Sequence, residues 1–272
     1  MRIKRFVAAI AILSTHGAAI AAEPQVMTPT GPWNVQFADK MCVLSRPYGA
    51  DQDTRLVFKP SMLGNDLEII VAKATTTPDE VVDGKVRLSV TGSEAPFISR
   101  YRAYSTKTHR LLRLWINEEK FPLAVVRGTL QIDAKSAGRY SFALPGIDKA
   151  TPVLASCLAQ LRTAYKISAA DLAPIATNSE SNFVSLFSTD DYPEDALSEG
   201  MGGTVGVLYW IEASGRVSSC EVVESDAPAI FEKTTCDVLI ERARFKPAMD
   251  AAGRAIRSPT FGRVRWQPWV SD

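Results

Sequence analysis

Residues 203–225 read GTVGVLYWIEASGRVSSCEVVES. Val205, Val207, Tyr209 and Ile211 alternate along the first part, Ser214 and Gly215 supply a turn, and 217–224 follow as a second extended run. This pattern predicts two antiparallel strands joined by a tight connection. Just past them, Asp226 is placed to cap a helix with its carboxylate, and Pro228 fits a first turn. Cys236, Leu239, Ile240 and Ala243 then recur at i, i+3, i+4 and i+7, which marks one face of that helix. Cys220 keeps step with Val222, so Cys220 and Cys236 can be bridged if that strand face meets the helix.

Upstream, Tyr192, Pro193, Glu194, Asp195, Ala196 and Leu197 form a short helical turn, with the proline where a missing N–H costs nothing. Asp190, Asp191, Glu194 and Asp195 gather at that helix start, where negative charge is favoured. Downstream come RARFKPA at 242–248, the turn DAAGRAI at 250–256 and a last strand through Val264 and Trp266.

In this order, and with this local wording, residues 190–269 resemble the C-terminal domain of TonB energy transducers, which sets a C-terminal domain at 190–272. The resemblance implies a helix-strand-strand-helix-strand unit without enzymatic activity. It also implies a recognition mode in which a short extended segment of a receptor adds to the sheet at the final strand. An outer-membrane receptor or another envelope protein is the partner so implied, and TonB-dependent transport the process. Tyr192, Pro193, Arg263, Val264, Arg265 and Trp266 are the candidate partner-binding residues. Val264 and Trp266 share one strand face and Arg263 and Arg265 the other, so Trp266 is expected inside, Trp269 more open, and the arginines within reach of an acidic peptide.

The earlier part of the chain has a different rhythm. Val86, Leu88 and Val90 alternate with Lys85, Arg87 and Ser89, and further strand candidates lie at 33–37, 56–58, 67–72, 97–104, 110–116 and 140–144. A helix at 149–165 closes this β-rich domain, residues 22–166, with Val153, Cys157 and Leu161 at four-residue steps and Leu154 and Leu158 alongside. The fold class is therefore α+β throughout. Residues 167–189 read as a linker, with Phe183, Val184, Leu186 and Phe187 as an apolar island.

Residues 1–21 have the layout of a signal peptide: Arg2, Lys4 and Arg5, then an apolar run interrupted by Ser14, Thr15, His16 and Gly17, then the small triplet Ala19, Ile20, Ala21. Export to the periplasm without a membrane span is expected. Loss of Arg2, Lys4 and Arg5 turns 31 basic against 30 acidic residues into 28 against 30, which removes the electrostatic motive for nucleic-acid binding. All four cysteines, Cys42, Cys157, Cys220 and Cys236, remain in the exported part, and an even count there points to disulfides. Three pairings are open in principle. The pairing that respects the domains is Cys42 with Cys157 and Cys220 with Cys236; the first closes so long a loop that it adds ~4 to 5 kcal/mol in the chain-entropy model.

His109 is the one histidine left after export, and it reads as an exposed strand residue. No GxSxG, SxxK, HExxH or GxxxxGK pattern occurs, so neither an enzyme nor a cofactor is implied. A non-enzymatic interaction protein is the leading expectation. A structural component held near the cell wall and a hydrolase with an unrecognised site are its alternatives. The expected export has a direct check: the intact mass of the protein recovered from an envelope fraction should correspond to a chain beginning at Ala22, and a chain beginning at Met1 that needs detergent would refute it.

Overall fold

Period-two alternation builds the first half of the chain. The computed structural model describes residues 24–38, 40–64, 66–75, 77, 80–92, 95–117, 121, 123, 126–172 and 183–268. The expected signal segment, the middle of the expected linker and Trp269 lie outside the described residues. Nine strands, β1 (Asn34–Ala38), β2 (Met41–Tyr48), β3 (Thr54–Pro60), β4 (Asp66–Ala74), β5 (Val82–Val90), β6 (Phe97–Ser105), β7 (His109–Asn117), β8 (Thr129–Asp133) and β9 (Arg139–Ala143), form one sheet. Its order is β1-β2-β3-β4-β7-β6-β5-β8-β9, antiparallel at every step. Alternate residues turn inward, and Leu44, Leu56, Phe58, Ile69, Leu88, Leu114, Leu130 and Phe142 are fully buried.

Residues 27–30 draw the two ends of this sheet together. The Met27 N–H donates to the Ser141 carbonyl at 2.7 Å, and the Thr30 N–H to the Pro47 carbonyl at 3.0 Å, so the segment bridges β9 to β2 and the sheet curls around its core. Helix α1 (Ile147–Ala164) packs against β2 with Leu154, Cys157, Leu158 and Leu161 inward, and Cys157 is bonded to Cys42. Val153, expected on this face, is exposed, because the buried stripe follows i, i+3, i+4, i+7 from Leu154 rather than uniform steps of four. Strands β2 and β8 lie outside the stretches where the alternation shows in the sequence. In β2 the string Ser45, Arg46, Pro47 masks the alternation, and β8 shows only Leu130 and Ile132 to signal it.

The C-terminal part contains α2 (Glu194–Ser198), β10 (Gly203–Ile211), β11 (Val217–Ser225), α3 (Ala229–Arg242), a small hairpin of β12 (Ala248–Met249) with β13 (Ala255–Ile256), and β14 (Ser258–Trp266). Its sheet has the order β11-β10-β14, both pairings antiparallel. The molecule is thus α+β. On one face of this sheet Val205, Val207, Tyr209, Ile211, Val264 and Trp266 meet Phe231 and Leu239 of α3 in a common core, and Cys220 is bonded to Cys236. Ile240 is exposed; the buried side of α3 carries Phe231, Thr235, Val238 and Leu239. Nor does Asp226 cap that helix. Pro228 occupies the N-cap, and the Asp226 carboxylate, two residues earlier, instead accepts the Thr204 N–H.

The other face of the same sheet is covered too. Leu208, Trp210 and Val223 are buried in continuity with the core of the first domain, and Phe261 packs beside them. The apolar island read as linker is likewise engaged: Phe183 stacks on Tyr209 at 5.9 Å and Phe187 meets Trp266 edge-on at 5.8 Å. Gly262 makes the first contact feasible, since a Cβ there would stand 2.6 Å from the Phe183 ring. Trp210 is 6% exposed and holds the Arg257 guanidinium 3.6 Å from its ring centre. Trp210→Ala should therefore cost about 3 to 5 kcal/mol of unfolding free energy. In urea titrations followed by near-ultraviolet circular dichroism, a variant within 1 kcal/mol of the parent would contradict the burial of this face.

Candidate functional site

Strand β14 is an outer strand, and the direction of its free hydrogen-bonding groups follows from its neighbour. The Thr204 N–H is bonded to the Asp226 carboxylate and its C=O to the Asp226 N–H at 3.1 Å, so Thr204 points both groups toward β11. In a regular strand such groups alternate sides. Hence Val205, Val207 and Tyr209 point theirs toward β14, where they face Val264, Gly262 and Thr260. The intervening residues Phe261, Arg263 and Arg265 then turn their N–H and C=O groups outward. Pro259 falls in the same outward set, a place where a residue without an N–H breaks no ladder bond. Beside this edge lies a groove of about 380 Å³, lined by Phe183, Phe187, Tyr192, Arg263, Arg265 and Gln267 among others.

The six residues singled out in the sequence fall into three situations. Tyr192, Val264 and Trp266 are core residues: Tyr192 packs edge-on to Phe231 at 5.1 Å and to Trp266 at 5.7 Å, and its hydroxyl donates to the Met201 carbonyl. The Trp266 indole N–H donates to Thr235 Oγ1 at 3.1 Å. Pro193 is the N-cap of α2. Arg263 and Arg265 stand on the opposite face of β14, toward the first domain, but only Arg265 is without an ion pair or hydrogen bond among the described residues. The Arg263 guanidinium bonds Glu224 of β11.

Glu224, which the sequence reading did not single out, is the hub of this face. Its second oxygen accepts from Lys59 of β3, so one carboxylate joins the C-terminal sheet to the first domain. Lys59 also lies 3.7 Å from Glu68 of β4, which is 3% exposed and accepts a 2.5 Å hydrogen bond from Arg113 of β7. The pair Glu224 and Arg263 closes over Gly206 of β10, in register with both; a Cβ there would meet Glu224 Cγ at 2.3 Å. That coincidence of a bare strand position with a carboxylate and a guanidinium on its two neighbours was the available signal, but reading it requires the strand register. A cleft of about 750 Å³ continues from this network between β14 and the outer face of β6 and β7.

Elsewhere the acidic cluster serves the chain itself. Asp191 forms a capping box with Ser188 and pairs with Arg242. Burial works to raise its pKa, yet the hydrogen bonds from Ser188 and Arg242 hold it below the usual carboxylate value. His109 is exposed at the start of β7, with a ring nitrogen 2.8 Å from the Thr108 hydroxyl.

Residues 189–268 match the family described as Gram-negative bacterial TonB protein C-terminal. The C-terminal unit is therefore a TonB-like domain, a class associated with the bacterial envelope and with energy transduction rather than catalysis. No curated protein matches the chain. Among the described residues no helix is long and apolar enough to cross a membrane.

Burial acts to raise the Glu224 pKa, but Arg263 and Lys59 outweigh it and bring the carboxyl down to about 2 from an ordinary 4.5. A depressed folded-state pKa contributes stability that is full above the unfolded value and is lost as pH falls through the folded one. Glu224 should thus contribute on the order of 3 kcal/mol at neutral pH, fading between pH 4.5 and 2. Thermal unfolding of Glu224→Gln across that range should show the difference from the parent shrinking toward acid; a constant difference would place the stabilisation elsewhere.

Proposed function

We propose that this is a non-enzymatic periplasmic interaction protein whose TonB-like domain takes up an extended segment of an envelope partner as an added strand on β14. An outer-membrane receptor is the candidate partner, which links the protein to TonB-dependent transport. The supporting observation is the outer edge of β14, unpaired among the described residues: Phe261, Arg263 and Arg265 turn donors and acceptors outward at the two-residue repeat of a strand, beside a groove with room for side chains. Main-chain pairing supplies the affinity in this mode, and flanking side chains set the preference. Signal cleavage after Ala21 and the two disulfides fit an oxidising compartment.

The edge can be blocked without touching the sheet. Arg265→Pro removes an outward N–H and keeps the β10 ladder, whereas Val264→Pro removes a ladder bond. The expected result is that Arg265→Pro folds with nearly the parent melting temperature but loses peptide binding by at least tenfold relative to Arg265→Ala, which keeps the N–H. Val264→Pro should be clearly less stable than Arg265→Pro, since it gives up a ladder hydrogen bond worth about 1 kcal/mol and replaces a core side chain. Fluorescence anisotropy with labelled extended peptides reads the first effect and calorimetry the second. Equal binding by the proline and alanine variants at 265 would exclude strand addition at this edge.

A further inference from the structure

We infer that the segment received by β14 is acidic and that the first domain forms part of its binding site through Lys85 and Arg100. This rests on the strand-addition reading and adds to it a ligand chemistry and a second binding surface.

The path of β14 over the first domain carries the argument. Arg263 shares one pocket with Asp66 and Glu68 of β4 and Trp115 of β7, and Arg265 shares the larger cleft with Arg102 of β6 and with Val81, just ahead of β5. Since the sheet runs β4-β7-β6-β5, β14 crosses these four strands on their outer face. The outward residues of β6 are, in turn, Tyr104, Arg102, Arg100 and Ile98. Tyr104 and Arg102 line the cleft on the β10 side of β14, together with Gly203 and Thr204. Arg100 and Ile98 continue the row toward the free edge, and both are exposed.

The charges along that row are unbalanced. Lys85 stands directly opposite Arg100 in register, and both are exposed. Like charges in such a pair repel and destabilise a sheet. Neither has an ion pair or hydrogen bond among the described residues. The adjacent carboxylate, Asp83, is engaged by Arg102 through hydrogen bonds of 2.9 and 2.8 Å. Glu68 and Glu224 are likewise occupied by Arg113, Lys59 and Arg263. Lys85, Arg100 and Arg265 are thus left facing a strip that an added strand would cover. Carboxylates at alternate positions of that strand would meet all three, while its backbone pairs with β14. A lipid headgroup or a lone anion offers no repeat of main-chain donors and acceptors to match the edge, so the observations favour an acidic peptide.

The test uses the exported protein and two ten-residue peptides, one alternating Val or Thr with Glu and the other with Gln in place of each Glu. At low salt the Glu peptide should bind about tenfold more tightly, and the advantage should shrink in high salt. In the double variant Lys85→Gln, Arg100→Gln, whose altered residues are exposed and whose fold is checked by circular dichroism, most of the advantage should vanish while binding of the Gln peptide is unchanged. Equal binding of both peptides by the parent would overturn the acidic preference and leave strand addition standing. A preference that survives the double variant would overturn the role of the first domain. Failure of both peptides to bind would overturn strand addition, and this inference with it.

Discussion

Glu224 holds two cations at once, Arg263 from its own sheet and Lys59 from the first domain, and the arrangement of the molecule turns on that double pairing. Taking a carboxylate out of water is costly, and a buried ion is tolerated only when its partners satisfy it. Removing either cation would leave charge stranded between two sheets. The adhesion itself comes from apolar area: Leu208, Trp210, Val223 and Phe261 lie against the first domain, and fully burying such side chains is worth ~1.5 to 3 kcal/mol each. The apolar contacts are non-directional, whereas the carboxylate with its two partners fixes which residues face one another.

This packing decides what surface is left for recognition. With α3 on one face of the three-stranded sheet and the first domain on the other, β14 is an outer strand with no strand paired along its other side among the described residues. An open edge invites unwanted pairing, and proteins blunt such edges with charge. Arg263 and Arg265 provide charge on the face toward the first domain, and Arg263 is held back by Glu224. Under the proposed function, the same charges shield the edge from indiscriminate association and suit it to a partner that brings opposite charge.

The disulfides act within each half rather than between them. Cys42 of β2 is bonded to Cys157 of α1, and Cys220 of β11 to Cys236 of α3, so each ties a helix to the sheet it covers. The second matters most for size: a unit of about eighty residues buries proportionately little surface, and small exported domains depend on such cross-links.

The division between sequence and tertiary structure follows the range of the forces. Local patterns in the chain were enough to determine the two strands of 203–225, the helix that follows and the TonB-like character of the C-terminal unit. Each depends on residues a few positions apart or on a contiguous motif. The run Val205 to Ile211, which reads as alternating, is buried on both faces, and no local rule says against what. The curling of the first sheet, the docking of Phe183 and Phe187, the diversion of Asp226 from helix cap to strand end and the Glu224 network were decided only by the tertiary structure. Lys59 and Glu224 are 165 residues apart in the chain. Nothing near either one records that the other will be there, because ion pairing depends on distance in space, and the packing of two separately patterned sheets sets that distance.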